Sequence, residues 1–165
     1  MELTGRIINN RYKIIEKLGE GGMSVVWLAQ DTKDDKQIAL KVLKEETTSH
    51  RVEDIIRFRR EATTVSKFLH KNIVITYEIG EYEGLNYIVM ELIKGSSLHS
   101  LIEEKAAFSQ DEVVEIIRGV CNALEYVHNS RVIHRDLKPG NIMIAMGDGS
   151  EVTTPCPPLE GGILW

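Results

Sequence analysis

Cysteine is nearly absent from these 165 residues: Cys121 and Cys156 are the only two. Two thiols without metal-ligand spacing exclude a disulfide-stapled domain and a structural zinc site, and point to the reducing cytoplasm. Cys121 falls inside a helical pattern and is expected to be a small buried apolar residue. Proline is scarce too, with three of four crowded at Pro155, Pro157 and Pro158. No apolar run approaches the roughly 20 residues of a membrane span, and no secretory signal heads the chain. Positive charge is thin: no Lys/Arg run exceeds two residues and the net charge is −5, which argues against nucleic-acid or membrane-surface partners. What is present, 42% apolar and 27% charged residues, is ordinary for a soluble globular domain. At this length a fold can bury roughly 70% of its unfolded surface.

The most informative string is His134-Arg135-Asp136-Leu137-Lys138-Pro139-Gly140-Asn141. It puts a carboxylate, an ammonium and an amide within six residues, on chain bent by Pro139 and Gly140. Alone, Asp-x-Lys-x-x-Asn is also the pattern of a capped turn. About 115 residues upstream lies Leu18-Gly19-Glu20-Gly21-Gly22-Met23-Ser24-Val25-Val26, with strand-like flanks on both sides. Glycines there let backbone approach a phosphate, because no Cβ intervenes. A dinucleotide-binding reading fails, since no helix follows the glycines, and a Walker A reading fails for want of Gly-Lys-Ser/Thr. The third string is Ile38-Ala39-Leu40-Lys41-Val42-Leu43. A lysine among strand formers is costly to bury unpaired; it is either an edge lysine in solvent or one with a carboxylate partner.

Together these strings resemble, from Tyr12 to Ile144, the first half of a protein-kinase domain. His134 to Asn141 is similar to that family's catalytic loop, and Lys138 to its serine/threonine branch. The resemblance implies an ATP-dependent transfer of the γ-phosphoryl group to a protein Ser/Thr hydroxyl. Asp136 would be the base and Lys138 would neutralise the transferred group; Asn141 would hold Mg²⁺. His134 would support the loop. Gly19, Gly21 and Val26 match the glycine-rich loop, with Ser24 in place of its third glycine. Lys41 would contact the α and β phosphates, paired with Glu61 on the next helix. Met90 would be the gatekeeper, the backbone of Glu91 and Ile93 would bond adenine, and Leu18, Val26, Ala39 and Met143 would sandwich its ring. ATP, Mg²⁺ and a protein substrate are thus the implied cofactors and partners. A small-molecule phosphotransferase of similar fold fits Arg135 and Lys138 poorly.

The fold expected is α+β and protein-kinase-like. Residues 1–11 are a lead. Residues 12–93 form a small lobe, a five-stranded antiparallel sheet plus one helix, with strands at about 12–18, 24–30, 37–43, 73–79 and 86–93. Its helix, at 51–69, carries the apolar stripe Val52, Ile55, Ile56, Ala62, Val65 and Leu69. Residues 94–144 form an incomplete helical lobe: a short helix at 97–104, then a long one to about Asn129, opened by the capping box Ser109–Glu112. Its apolar face is Val113, Ile116, Ile117, Val120, Leu124 and Val127.

Residues 145–165 diverge. Their prolines lack amide donors, which predicts neither normal strand nor helix from 151 on. No Asp-Phe-Gly occurs in these residues; Asp148 follows Asn141 too closely to replace that magnesium aspartate. The expectation is a truncated or frame-shifted, catalytically impaired kinase. An ATP-binding regulatory module without turnover and an inactive fragment are the alternatives.

Overall fold

The computed structural model describes residues 2–44, 51–104, 107–145 and 161–163, with side chains for all of these except 51, 61 and 161–163. The chain divides into two compact units: Met1–Lys67 with Ile75–Leu92, and Phe68–Val74 with Ile93–Trp165.

The first unit is an antiparallel sheet with one helix. Its strands are β1 (Ile7–Ile8), β2 (Tyr12–Glu20), β3 (Ser24–Asp31), β4 (Lys36–Leu43), β5 (Thr76–Tyr82) and β6 (Leu85–Met90), in the order β1-β2-β3-β4-β6-β5. That is six strands where the sequence predicts five. The extra strand is β1, which pairs Ile7 with Lys13 and Ile8 with Tyr12 in the stretch read as a lead. Asn9 and Asn10 turn the chain there at φ of 51° and 53°; asparagine tolerates that left-handed conformation, which tight hairpins require. The strand expected at 73–79 begins only at Thr76, because the apolar Ile73 and Val74 are buried outside the sheet. The one expected at 86–93 ends at Met90.

Alternation sorts the residues of this sheet into two faces. Trp27, Leu40 and Val89 lie side by side by register, as do Val25, Val42 and Tyr87. These residues are buried and belong to the main core. Beneath them, Glu78 accepts hydrogen bonds from the hydroxyls of Tyr12 (2.7 Å) and Tyr87 (2.8 Å), while Asn9 donates to Tyr87 (3.0 Å). Burial, helped by Glu78, pushes the Tyr87 phenol up to about 12. Gly80 sits opposite Tyr87, and a Cβ placed there would come within 2.3 Å of the tyrosine ring. The hydroxyl bonds hold that ring in place, so Gly80→Ala is expected to destabilise the protein by about 1–3 kcal/mol, read from the urea midpoint.

Helix α1 (Arg51–Val65) stops short of the expected residue 69. Its buried positions are Phe58, Ala62 and Val65, whereas Val52, Ile56 and the downstream Leu69 are exposed. The expected stripe thus holds at Ala62 and Val65, with Ile55 half-buried, fails at Val52, Ile56 and Leu69, and lacks Phe58. Arg59 fastens α1 to the sheet, donating to Asn86 (2.7 Å) and Glu81 (2.6 Å).

In the second unit, β7 (Gly95–Ser97) leads into α2 (Leu98–Glu104), and α3 spans Gln110–Asn129. The capping box forms as expected: Glu112 N–H donates to Ser109 Oγ (3.3 Å), and Ser109 N–H donates to the Glu112 carboxylate (2.8 Å). The buried face of α3 is Ile116, Val120, Ala123 and Val127, while Val113 and Ile117 are exposed. Cys121 is also exposed, contrary to expectation, because it lies off that face. Residues 68–74 pack on α3: Tyr126 meets Phe68 edge-on (5.8 Å between centroids) and stacks on His70 (5.1 Å). Strand β8 (Ile142–Ala145) pairs with β7 on one side and with β9 (Gly161–Ile163) on the other. The sequence predicts no strand in that tail. All three of its prolines precede residue 161, so Gly161–Ile163 keeps the donors a ladder needs. The expectations for 146–160 lie outside the described residues.

Candidate functional site

In the first unit the sheet face opposite the core gathers four of the residues singled out in the sequence. Register places Val26 opposite Lys41 and Ala39 opposite Met90. Residues directly opposite share a face, and Ala39 and Lys41 share one by alternation, so Val26, Ala39, Lys41 and Met90 lie together. Asn86 shares that face with Met90, and Arg59 of α1 bonds to it, which sets α1 on the Lys41 side. Lys41 is half-buried. The side chain of Glu61, its expected partner, lies outside the described residues. Leu18 falls at a β-bulge between Lys17 and Gly19 and is exposed.

The glycine turn joins β2 to β3. Gly21 N–H donates to the Ser24 carbonyl (2.8 Å), and Lys44 N–H donates to the Met23 carbonyl (2.9 Å). Ser24, in the place of a third glycine, is buried at the start of β3. A Cβ built on Gly19 or Gly22 would meet nothing within 4 Å, and neither φ is left-handed. The chain itself therefore has no steric need for glycine at those positions.

Met90 ends β6, and the next residues leave the ladder. Glu91 N–H donates to the Ile75 carbonyl (2.9 Å) and the Glu91 carboxylate accepts from Ile75 N–H (3.3 Å). The Glu91 amide, an expected adenine contact, is thus already engaged within the protein. Ile93 and Met143, the other expected adenine contacts, belong to the second unit, each half-buried.

In the second unit Asp136, Lys138 and Asn141 form one hydrogen-bonded loop. Asp136 N–H closes a three-residue turn on the His134 carbonyl (2.9 Å), with Arg135 between them at φ 65°. A non-glycine residue at positive φ in so tight a turn is strained, by on the order of 1–3 kcal/mol. His134 is buried, and its Nδ1 accepts from the same Asp136 amide (3.3 Å). Lys138 Nζ donates to Asp136 Oδ2 (2.8 Å); Asn141 Nδ2 donates to the same oxygen (3.1 Å) and to the Asp136 carbonyl (2.8 Å). Asp136 Oδ1 has no donor among the described residues. The Lys138 ammonium first, and the Asn141 amide with it, hold the Asp136 carboxyl below the usual carboxylate range. The strained turn thus presents an ionised carboxylate with one oxygen occupied and one open. Pro139–Asn141, a single 3-10 turn, hands the chain to β8.

With its nitrogen engaged, Asn141 has one neutral oxygen for a metal. Magnesium takes near-octahedral oxygen sets, and no three carboxylates, imidazoles or thiols cluster among the described residues. These residues alone do not make a Mg²⁺ site.

The fold and these two sets of residues define a protein-kinase domain, and residues 12–152 match the family model of that domain. The chain belongs to the protein kinase family. The match runs past Ile144, where the sequence resemblance stops. The chain is 38% identical over 151 residues to a probable serine/threonine-protein kinase of Clostridium acetobutylicum, covering 92% of this chain and 23% of that one. It is 38% identical over 142 residues to the serine/threonine-protein kinase PrkC of Bacillus subtilis, covering 86% and 22%. It therefore spans about a quarter of the length of these relatives. Among solved structures it resembles a mutant of the PknI kinase domain of Mycobacterium tuberculosis, at 26% identity and a TM-score of 0.74, covering 88% of this chain and 59% of that chain. It also resembles a Rad53 fragment in complex with AMP-PNP, at 30% identity and a TM-score of 0.75, covering 93% and 38%. No helix among the described residues is long and apolar enough to cross a membrane.

Residues outside these sets also matter. Glu20, Lys17 and Lys44 form an ion-pair cluster at the glycine turn. Nothing in the sequence pairs position 20 with 44, because their proximity follows from the register of three strands.

Proposed function

We propose that this chain takes part in ATP-dependent phosphorylation of protein serine or threonine, in keeping with its similarity to bacterial serine/threonine-protein kinases. ATP supplies the γ-phosphoryl group. The Val26, Ala39 and Met90 face holds adenine with Leu18, and the Glu91 backbone bonds its edge. Lys41, paired with Glu61, and the Gly19–Gly21 backbone hold the phosphates. Asp136 orients the acceptor hydroxyl and takes its proton, Lys138 offsets charge on the transferred group, and Asn141 contributes one oxygen toward Mg²⁺.

The carrying observation is the Asp136 carboxylate, one oxygen tied by Lys138 and Asn141 and the other open. The Asp136 carboxylate is ionised at neutral pH, Lys138 lowers its pKa further and fixes it in place, and a fixed carboxylate selects one approach for a hydroxyl. A cytoplasmic location fits this reading, since ATP is supplied there.

The test is thermal unfolding of the purified protein with and without Mg-ATP. ATP at about 100 times its dissociation constant is expected to stabilise the wild type by about 2.7 kcal/mol. Lys41→Ala is expected to abolish that shift. A wild type whose melt ignores ATP would sink the proposal.

A further inference from the structure

We infer that Glu20, held between Lys44 and Lys17, is a positioning residue that sets the glycine turn over the nucleotide's phosphates; this rests on the nucleotide reading above. Glu20 is the last residue of β2, between Gly19 and Gly21. It lies opposite Val25, which lies opposite Val42. Two interstrand spacings, about 9.5 Å, thus separate Glu20 from β4. Lys44, two residues past Val42, closes that gap: its Nζ is 2.6 Å from Glu20 Oε1. Lys17 takes the other carboxylate oxygen. The pair from β2 to β4 straddles the start of β3, where the turn reverses. Among the described residues of 19–24, Glu20 alone has a side chain bonded to another side chain.

The charge count gives this arrangement its meaning. A carboxylate in a phosphate-binding turn repels the ligand unless it is cancelled. Here two ammonium groups surround it, leaving one surplus positive charge. Lys17 first and Lys44 second depress the Glu20 carboxyl to about 2, so it stays ionised at any pH where the protein works. The carboxylate acts through the turn and touches no reacting atom.

A passive carboxylate and a positioning one predict opposite signs. If Glu20 were only a negative charge near the phosphates, Glu20→Gln would tighten ATP. As a tether, its loss loosens the turn and weakens ATP. The experiment is calorimetric titration of the full chain with ATP and, separately, with adenosine, which has no phosphates. Wild type, Glu20→Gln, Lys44→Met and the double variant are compared. Expected is a loss of ATP affinity of about two- to fivefold in each single variant, on the scale of a half-exposed ion pair, with adenosine unchanged. The double variant is expected to be no weaker than the weaker single one. Tighter ATP binding by Glu20→Gln, additive losses, or equal losses for ATP and adenosine would overturn the inference. A wild type that binds neither ligand fails the nucleotide reading itself and removes the inference with it.

Discussion

Asp136→Ala is expected to lower the rate of phosphoryl transfer to a serine- or threonine-bearing basic protein by about 10²–10⁴-fold, while ATP binding stays intact. The two quantities separate because the carboxylate and the nucleotide contacts belong to different parts of the chain. Asp136 lies on the strained turn at Arg135, whereas the proposed phosphate contacts are Lys41 and the glycine backbone. Removing the carboxylate also strands the Lys138 ammonium, whereas Asn141 keeps its bond to the Asp136 carbonyl. Asp136→Asn keeps the shape and loses the base, so it should be as slow as the alanine variant. The pH profile gives an independent check. The ionised form is the competent one, and its carboxyl lies below the ordinary carboxylate value. The rate should therefore not fall on the acid side until pH drops below the usual titration range near 4. A profile falling already near pH 6 would assign the base to another group.

Trp27→Ala should be among the most destabilising single changes in the first unit, at about 3–5 kcal/mol. Trp27 is 1% exposed, the bulkiest of the fully buried side chains, and sits between Leu40 and Lys17 in register. Its indole N–H is buried without a hydrogen-bond partner among the described residues. An unmade bond of that kind costs about 1–3 kcal/mol, so Trp27→Phe removes a penalty along with some volume. Chemical denaturation should show the phenylalanine variant within about 1.5 kcal/mol of wild type and the alanine variant far below it. Equal losses for both would mean that the indole nitrogen, not the volume, holds the site together.

Strings whose chemistry is local were legible before the fold was known. Ser109 and Glu112 are three residues apart, and their reciprocal bonds need only a helix start. The strand around Lys41 was readable because Ile38, Ala39, Leu40, Val42 and Leu43 are a local run of apolar residues. Contacts between strands were not readable. Glu20 with Lys44, and Asn9 with Tyr87, depend on register, which no single string encodes. Phe58 was missing from the expected stripe of α1 because α1 packs against a sheet as well as following its own period. Ile73 and Val74 looked like strand because burial, not pairing, explains their apolar character. β9 was missed because the prolines before it dominated the reading of the tail.

The two-faced sheet has a consequence for how this gene tolerates change in length. Lys41 reaches the face it shares with Val26, and Leu40 the Trp27 layer, only through even and odd counting along β4. One residue gained or lost inside 38–42 would drive the ammonium into the core and turn leucine out to the face proposed for the nucleotide. A change of length in the turn at 32–35 lies outside that alternation and leaves the two faces of β4 as they are.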